Sequence, residues 1–234
     1  MQKIKDVVVI IPSYNPDEKL VNLVEELIDY GFEKIVVVND GSSPESLIHF
    51  EKVDEKKECK LLVHEKNMGK GRALKTAFSY CKGLKECLGV VTVDGDGQHL
   101  PKDIVACVET MRQDKRKVVL GVRDFSTRDV PLKSKFGNEI TKMVFRILCG
   151  IRLSDTQTGL RGIPTQYLQE FISYQGERYE YETNMLLMMK KNGIEWVEVK
   201  ISTVYLDNNA TSHFNPIKDS WRIYKTILAT KRIL

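Results

Sequence analysis

Short apolar runs alternate with amphipathic stretches over roughly the first 120 residues, and each run has the length of one buried strand. Runs rich in β-branched residues predict strands at 7–11, 35–38, 60–64, 90–93 and 118–122. Apolar positions at helical spacing predict helices at 16–30, 44–55, from 69 onward and 101–113. This alternation predicts a mostly parallel sheet with helices on both faces.

The pattern loosens after Arg123, where residues 124–134 are polar and predict a loop. Later positions predict helices at 135–149 and 183–191, an outer strand at 196–204, and a helix from Pro216 onward. No shift in composition marks a second domain. We therefore predict one α/β domain over 1–215, with halves at 1–123 and 124–215, followed by an amphipathic helix at 216–234.

Two carboxylates leave the end of the predicted strand at 90–93, in the stretch Asp94-Gly95-Asp96-Gly97-Gln98-His99. Ligands of open α/β sheets bind beyond the carboxyl ends of the strands. Alternate positions of an extended chain point the same way, so Asp94, Asp96 and Gln98 could converge on one cation. Oxygen ligands of this kind suit Mg²⁺ or Mn²⁺. The alternative is a turn built from Asp and Gly, which are ordinary turn residues.

The first two predicted strands end at the same edge, in Pro12-Ser13-Tyr14-Asn15 and in Asn39-Asp40-Gly41-Ser42. Pro12 and Tyr14 could pack against a flat base, while Glu18 and Asp40 could accept hydrogen bonds from its N–H groups. Either loop taken alone also fits a turn chosen for backbone geometry.

Glycines and cations stand at a predicted helix start in Asn67-Met68-Gly69-Lys70-Gly71-Arg72. A helix N-terminus with Lys70 beside it suits a diphosphate. The spacing is not that of a Walker loop. A helix start punctuated by glycines explains the same residues without a ligand.

The composition of the chain excludes some classes of protein but does not by itself indicate a function. The formal net charge of +4 is too small to indicate a nucleic-acid partner. Five cysteines without C-x-x-C spacing suggest reduced thiols in the cytoplasm. The N-terminus does not resemble a signal peptide, and no apolar stretch approaches the roughly 18 to 20 residues of a membrane span. We expect a chain that does not cross a membrane on its own.

Together, the motifs at 12–15, 39–42, 67–74 and 94–99 resemble family 2 glycosyltransferases with the GT-A fold. The resemblance is strongest to the dolichyl-phosphate mannose synthase and polyprenyl-phosphate sugar transferase branch, and it covers about residues 6–215. It implies a three-layer α/β/α domain whose first half binds a nucleotide-sugar and whose second half binds the acceptor. Asp94 and Asp96 are then the DxD motif for Mg²⁺ or Mn²⁺, with Gln98 as a further ligand.

The same resemblance assigns the donor site. Its residues are Pro12, Tyr14, Asn15, Glu18, Asp40, Lys70 and Asp94. Many relatives carry two aspartates after the second strand, where this chain has Asn39-Asp40. The choice between GDP and UDP therefore stays open.

Cations in the second half are candidates for holding an anionic acceptor, because guanidinium groups fit phosphate oxygens. By the resemblance, the acceptor site comprises Arg123, Ser134, Asn138, Arg161 and His213. Val130 stands where the branch has another arginine, and Tyr205 where mannose synthases tend to have one. The segment 155–162 resembles the branch's Asp-x-Gln-x-Gly segment on the acceptor side.

Glu182 matches a family carboxylate position and has two interpretations. A hydroxyl acceptor must lose a proton as it attacks, so Glu182 could be its base. A phosphate acceptor is already an anion, and Glu182 would then pair with a basic residue. Asp96, Arg123 and Glu182 form the predicted catalytic set.

We expect an inverting, metal-dependent glycosyltransferase that uses a GDP- or UDP-sugar and a polyprenyl or dolichyl phosphate. Transfer to a sugar hydroxyl of a glycan is the first alternative, and a non-catalytic nucleotide-sugar scaffold is the second. The helix at 216–234 combines apolar, aromatic and basic positions, which suits an anionic membrane surface or packing on the domain. We therefore expect a cytoplasmic protein that is peripheral at the inner face of the plasma membrane. A second copy of the chain or a membrane protein would be a further partner.

Overall fold

The computed structural model describes residues 3–123 and 132–202, with the side chains at 132–137 and 140 outside that description. The strands are β1 Val7–Ser13, β2 Ile35–Asn39, β3 Cys59–Val63, β4 Gly89–Thr92, β5 Val118–Arg123, β6 Arg161–Pro164 and β7 Trp196–Ile201. The helices are α1 Glu18–Asp29, α2 Leu47–Asp54, α3 Lys70–Lys82, α4 Pro101–Gln113, α5 Leu132–Cys149, α6 Leu168–Ser173 and α7 Glu180–Lys191.

The strands form one sheet in the order β3-β2-β1-β4-β6-β5-β7. Every pairing is parallel except those of β6, which runs antiparallel to β4 and β5. Pairs such as Val9 with Ile35 and Val9 with Val91 place β1 between β2 and β4. The carboxyl ends of β2, β1 and β4 therefore open at one edge of the sheet.

Both faces of the sheet are covered, so its central strands are apolar at nearly every position. On one face, Val8 and Ile10 pack with α3, α5, α6 and α7. On the other face, Val7, Val9 and Ile11 pack with α1, α2 and α4. The three-layer α/β/α architecture with a mostly parallel sheet is confirmed.

Some boundaries differ from the sequence prediction, and the differences have local causes. Helix α7 begins at Glu180 rather than 183, because its first turn is polar, with Glu180 and Glu182 where acidic residues favour a helix start. Helix α5 begins at Leu132 rather than 135. Strand β6 and helix α6 are absent from the prediction. Among the described residues, no helix combines the length and apolarity that crossing a bilayer requires.

Candidate active site

A cavity of about 700 Å³ opens where β1, β2 and β4 end. It brings together most of the predicted donor residues, together with Asp96 of the predicted metal motif. The donor residues are Pro12, Tyr14, Asn15, Asp40, Lys70 and Asp94. Asn67, Arg178 and Tyr179 complete the wall from the sides of α3 and α7. The prediction that separate strand ends converge on one site is met for these residues.

Asn15 and Ser42 fix the loops after β1 and β2 to each other. The amide of Asn15 donates to Ser42 Oγ at 2.9 Å, and the amide of Ser43 donates to Asn15 Oδ1 at 2.8 Å. Asn15 has a φ of 48°, a left-handed conformation that asparagine tolerates better than most residues. These two hydrogen bonds explain why asparagine occupies position 15, and they hold Tyr14 at the cavity wall.

Asp40 organises the start of α3. Its carboxylate accepts from the amides of Met68 and Gly69, at 2.9 and 2.7 Å, and lies 2.7 Å from His64 Nδ1. The amide of Arg72 donates to the carbonyl of Glu177 at 3.0 Å. These three amides already have acceptors within the protein, and the binding of a diphosphate by this helix start stays a prediction. The Lys70 side chain lines the cavity together with Asn67 and Gly69 of the same motif.

Lys70 joins the candidate metal motif to the candidate base. Its ammonium lies 2.7 Å from Asp94 Oδ1 and 2.8 Å from Glu182 Oε2. Burial opposes the charge on Lys70, but the two carboxylates outweigh it and raise the pKa of its ammonium. Burial likewise opposes the charge on Asp94, while Lys70 and His99 hold the pKa of that carboxyl well below its usual range. Lys70 and Asp94 are therefore both charged at neutral pH.

Gly159 lies against the Asp94 carboxylate and was not among the predicted site residues. A Cβ atom there would fall 2.4 Å from Asp94 Oδ2. Thr92 Oγ1 donates to the carbonyl of Gly159 at 2.7 Å, which ties this segment to β4. The glycine of the Asp-x-Gln-x-Gly segment was the available signal, because close approach of a backbone to a functional group requires glycine.

Asp94 and Asp96 fit a divalent cation by two observations. Asp94 already takes a cationic partner at 2.7 Å, and both carboxylates line the cavity. Burial and the neighbouring Asp94 raise the pKa of Asp96, as expected of two carboxylates that lie close together. A hydrogen bond from the amide of Gln98, at 3.0 Å, acts in the opposite direction. No group of three or more acidic, His or Cys side chains surrounds a common point in the described part of the chain. Further ligands would come from a diphosphate and water, as is usual for Mg²⁺.

Arg123 stands beside this motif at the end of β5. It holds Asp155 in a two-pronged pair, with Nε–Oδ2 at 2.7 Å and Nη2–Oδ1 at 3.2 Å, and the Asp155 side chain is 0% exposed. A small cavity of about 30 Å³ is lined by Arg123, Gln98, His99 and Asp94. The guanidinium held by Asp155 therefore lines the same small cavity as Asp94.

Three predicted site residues do not line either cavity, and their roles in binding stay predictions. The Glu18 side chain turns away to Lys52, at 3.0 Å, and does not line the cavity. Arg161 is 1% exposed and donates to the carbonyls of Thr158 and Glu182, so it supports the site from below. Asn138 is fully buried, and its amide donates to the carbonyl of Ser154 at 3.1 Å.

The remaining acceptor predictions lie outside the described residues. The backbone of Ser134 belongs to α5, but its side chain is not described. His213 and the helix predicted at 216–234 fall in the segment 203–234, which is not described.

Comparison with known proteins places these features in one family. The Glycosyl transferase family 2 profile matches residues 8–191. A UDP-N-acetylglucosamine–dolichyl-phosphate N-acetylglucosaminyltransferase of Methanococcus voltae is 27% identical, covering 97% of this chain and 96% of the relative. An undecaprenyl-phosphate mannosyltransferase of Micrococcus luteus is 26% identical, covering 85% of this chain and 83% of the relative.

Solved structures share the fold. Glucosyl-3-phosphoglycerate synthase of Mycobacterium tuberculosis, crystallised with Mn²⁺, UDP and phosphoglyceric acid, superposes with a TM-score of 0.69 at 14% identity. The alignment covers 96% of this chain and 78% of that one. The family profile spans the chain from β1 to α7 and includes the DxD motif. The chain therefore belongs to glycosyl transferase family 2.

Proposed function

We propose that this protein transfers a sugar, with inversion, from a GDP- or UDP-linked donor to a polyprenyl or dolichyl phosphate. The observation that carries the proposal is the position of Arg123. A guanidinium fixed by buried Asp155 shares a small cavity with Asp94, at the edge of the donor cavity. The polyprenyl-phosphate acceptors named for the two relatives support the same acceptor class.

The donor cavity has the parts that a nucleoside diphosphate needs. Tyr14 and Pro12 offer a flat apolar wall, and Asp40 offers a carboxylate. Asp94 and Asp96 lie at the other side of the opening and would hold Mg²⁺ or Mn²⁺, which supplies neutralisation of the leaving diphosphate. Bound Mn²⁺ in a solved relative supports this assignment.

In the reaction, an oxygen of the acceptor phosphate forms a bond to the anomeric carbon. The bond from that carbon to the diphosphate oxygen breaks, and its electron pair leaves with the nucleoside diphosphate. Attack from the face opposite the leaving group inverts the anomeric configuration. Arg123 would orient the acceptor phosphate, since a guanidinium binds phosphate oxygens in pairs.

The Lys70 ion pair favours a phosphate acceptor over a hydroxyl. A hydroxyl acceptor needs a base, and Glu182 is the candidate. Its Oε2 lies 2.8 Å from the Lys70 ammonium, so one oxygen of this carboxylate is already held in an ion pair rather than presented to an acceptor hydroxyl. A phosphate needs no deprotonation, so Glu182 would serve instead to position Lys70.

A lipid acceptor places the protein at a membrane surface. We propose peripheral action at the cytoplasmic face, with the basic and aromatic positions of 216–234 as the membrane contact.

Two variants separate the acceptor classes in an assay with Mn²⁺, sugar nucleotides and polyprenyl phosphate. Arg123→Gln should raise the KM for polyprenyl phosphate by about 10- to 100-fold, as expected for a lost charged hydrogen bond. Glu182→Gln should leave kcat within about tenfold, because no proton is abstracted. A loss of about 1,000-fold or more in Glu182→Gln, with Arg123→Gln unaffected, would instead support a hydroxyl acceptor.

A further inference from the structure

We infer that Arg178, on the connection between α6 and α7, binds the diphosphate of the donor. This inference rests on the proposed function for the presence of a nucleotide-sugar in the cavity. It goes further by adding a donor-binding residue that comes from the second half of the chain. The way in which Gly69 and Gly71, at the start of α3, receive this connection is the basis of the inference.

Gly69 and Gly71 leave room for the connection between α6 and α7. A Cβ atom at position 69 would fall 2.4 Å from the Glu177 carbonyl oxygen and 2.6 Å from Cγ of Arg178. A Cβ atom at position 71 would fall 2.5 Å from Cβ of Tyr181. Such close approach between two segments of the chain requires glycine. Both glycines therefore have a packing role, which brings Arg178 to the start of α3.

Hydrogen bonds and an ion pair fix the same connection to α3 and α7. The Arg72 amide donates to the Glu177 carbonyl at 3.0 Å, and the Lys75 ammonium lies 3.1 Å from Glu177 Oε1. Glu180 Oε1 accepts from the amides of Glu177 and Arg178, at 3.1 and 3.2 Å. The backbone at Arg178 is therefore held in place without a ligand, which lowers the cost of ordering it on binding.

The Arg178 side chain lines the donor cavity and has hydrogen-bonding capacity for a ligand. Its Nη1 donates to Asn67 Oδ1 at 3.2 Å, and no carboxylate of a described residue pairs with the guanidinium. A guanidinium has five N–H donors, so most of them remain for a ligand. Among the described residues that line the cavity, Lys19 and Lys70 are the other cations, and each already pairs with a carboxylate.

Arg178 lies between the two ends of the donor cavity. Its side chain crosses Gly69, whose amide donates to Asp40 at the end that follows β2. The next residue, Lys70, reaches Asp94 at the end that follows β4. In the proposed donor complex, the base lies at the first end and the metal at the second. The diphosphate joins these two parts, so it passes the start of α3, where Arg178 lies.

The charges in the cavity favour the same role. Asp40, Asp94 and Asp96 line the cavity, and a nucleotide-sugar adds the negative charge of its diphosphate. That charge grows on the leaving group as the bond to the sugar breaks. Arg178 supplies a positive charge that no carboxylate of the described residues neutralises. Its planar guanidinium also matches the spacing of phosphate oxygens, which it can bind in pairs.

Calorimetric titration of the full chain with UDP and with GDP, each with Mn²⁺, tests the contact. Arg178→Gln should weaken the binding of the preferred nucleotide by about 10- to 100-fold, as expected for a lost charged hydrogen bond. Arg178→Lys should bind with intermediate affinity, because it keeps the charge but loses the paired geometry. Arg116→Gln is the matched control, since the Arg116 side chain is 84% exposed and lies before β5, and this variant should bind like wild type.

Inorganic pyrophosphate separates a phosphate contact from a contact with the base or the ribose. With Mn²⁺, pyrophosphate should compete with the nucleotide, and Arg178→Gln should weaken both ligands by a similar factor. Unchanged pyrophosphate binding in Arg178→Gln would overturn the inference, even if nucleotide binding fell. Equal nucleotide binding by wild type and Arg178→Gln, or no nucleotide binding by wild type, would overturn it as well.

Asn67→Ala tests whether the guanidinium must be held in place. Loss of this neutral acceptor should weaken nucleotide binding by about fivefold. The double variant with Arg178→Gln should bind no more weakly than Arg178→Gln alone, because Asn67 acts through Arg178. Fully additive losses would contradict that link. Melting curves without ligand should match wild type for the Arg178 variants, because the Arg178 side chain is exposed.

The inference and the proposed function fail in different ways. Binding of nucleotide and pyrophosphate that depends on Arg178, without sugar transfer to polyprenyl phosphate, would contradict the proposed function alone. Sugar transfer by wild type, with nucleotide binding unchanged in Arg178→Gln, would contradict the role of Arg178 alone.

Discussion

Gly159 sets the position of the Asp94 carboxylate. Its missing side chain leaves the space that Asp94 Oδ2 occupies, because a Cβ atom would lie 2.4 Å away. The obstruction concerns the end of a side chain rather than backbone, so a larger residue would displace Asp94 and leave the sheet intact. The glycine therefore belongs to the site although it binds nothing.

Gly159→Ala should lower kcat by about 100-fold, the effect of moving a reacting group by about 1 Å. The Mn²⁺-dependent rise in melting temperature with a sugar nucleotide should shrink in parallel. Gly83→Ala is the control, because its new Cβ would lie in ordinary contact with the Tyr80 carbonyl oxygen, at 3.5 Å. Full activity of Gly159→Ala with a normal melting curve would contradict this role.

Lys70 and a divalent cation should compete for Asp94. The ammonium and the carboxylates of Asp94 and Glu182 are largely buried, with side chains 17%, 32% and 15% exposed. Lys70→Met leaves both carboxylates without their shared counter-ion, which should destabilise the fold by about 2–3 kcal/mol. Mn²⁺ should then raise the melting temperature more in Lys70→Met than in wild type.

The control for Lys70 is Lys57→Met, whose ammonium is 90% exposed. It should match wild type with and without Mn²⁺. An identical Mn²⁺ effect in Lys70→Met and wild type would show that the cation does not contact Asp94.

Elements differ in how far the sequence predicts them. Helix α4, predicted at 101–113, is observed at Pro101–Gln113, because its apolar stripe is regular and Pro101 suits a first turn. Strand β6 was missed because Arg-Gly-Ile-Pro is short and contains a charge, a glycine and a proline. Tertiary contacts create this strand, since it fills the gap between β4 and β5. Strand composition alone does not reveal it.

The sequence predicts where a site residue lies when the backbone decides its position, and does not predict it when side-chain direction decides. Asp40 and Asp94 follow parallel strands, so topology alone brings them to one edge. Glu18 lies on α1, where the side chain could point to the cavity or to α2, and it pairs with Lys52 on α2. The acceptor roles of Asn138 and Arg161 were inferred from motif position, which does not report burial.

Asn138 connects α5 to the segment before β6, which carries Asp155 and Gly159. Its Nδ2 donates to the Ser154 carbonyl, and its Oδ1 faces the amide of Thr156 at 3.5 Å. Asn138→Ala should cost about 1–3 kcal/mol, because it removes a fully buried side chain that donates to the Ser154 carbonyl. Loosening this segment should raise the KM for polyprenyl phosphate more than the KM for the donor.

Asn184→Ala is the matched control for Asn138. It removes a similar bond, from Nδ2 to the Gln175 carbonyl at 2.8 Å, at a site where water can replace it. Stability and both KM values should stay near those of wild type. Equal effects of the two variants would contradict a role for Asn138 in the acceptor half.

At the scale of the whole molecule, the described residues form an apolar layer on each face of the sheet, and each layer contains a buried thiol. Cys81 belongs to the layer with α3, and Cys107 to the layer with α4. Burial raises the pKa of each thiol to about 12. At pH 8 the thiolate, which is the reactive form, is then a fraction on the order of one in 10,000.

Cys81 and Cys107 should therefore resist an aromatic disulfide reagent at pH 8 until the protein unfolds. If the chain from β1 to β7 is one domain, both thiols should become reactive at the same denaturant concentration. Peptide mapping after labelling distinguishes the two. Exposure of one thiol well before the other would show that the two layers unfold separately and contradict a single cooperative domain.

The central claim is that the protein transfers the sugar of a nucleotide-sugar, bound in the donor cavity, to a lipid phosphate bound at the edge of that cavity. The most direct measurement is product analysis after incubation with a sugar nucleotide, Mn²⁺ and polyprenyl phosphate, by mass spectrometry and by NMR of the anomeric centre. The account predicts a polyprenyl-phosphate sugar of inverted anomeric configuration, absent with Asp96→Asn. Sugar released only into water, sugar attached to a hydroxyl, or a product that persists in Asp96→Asn would contradict it.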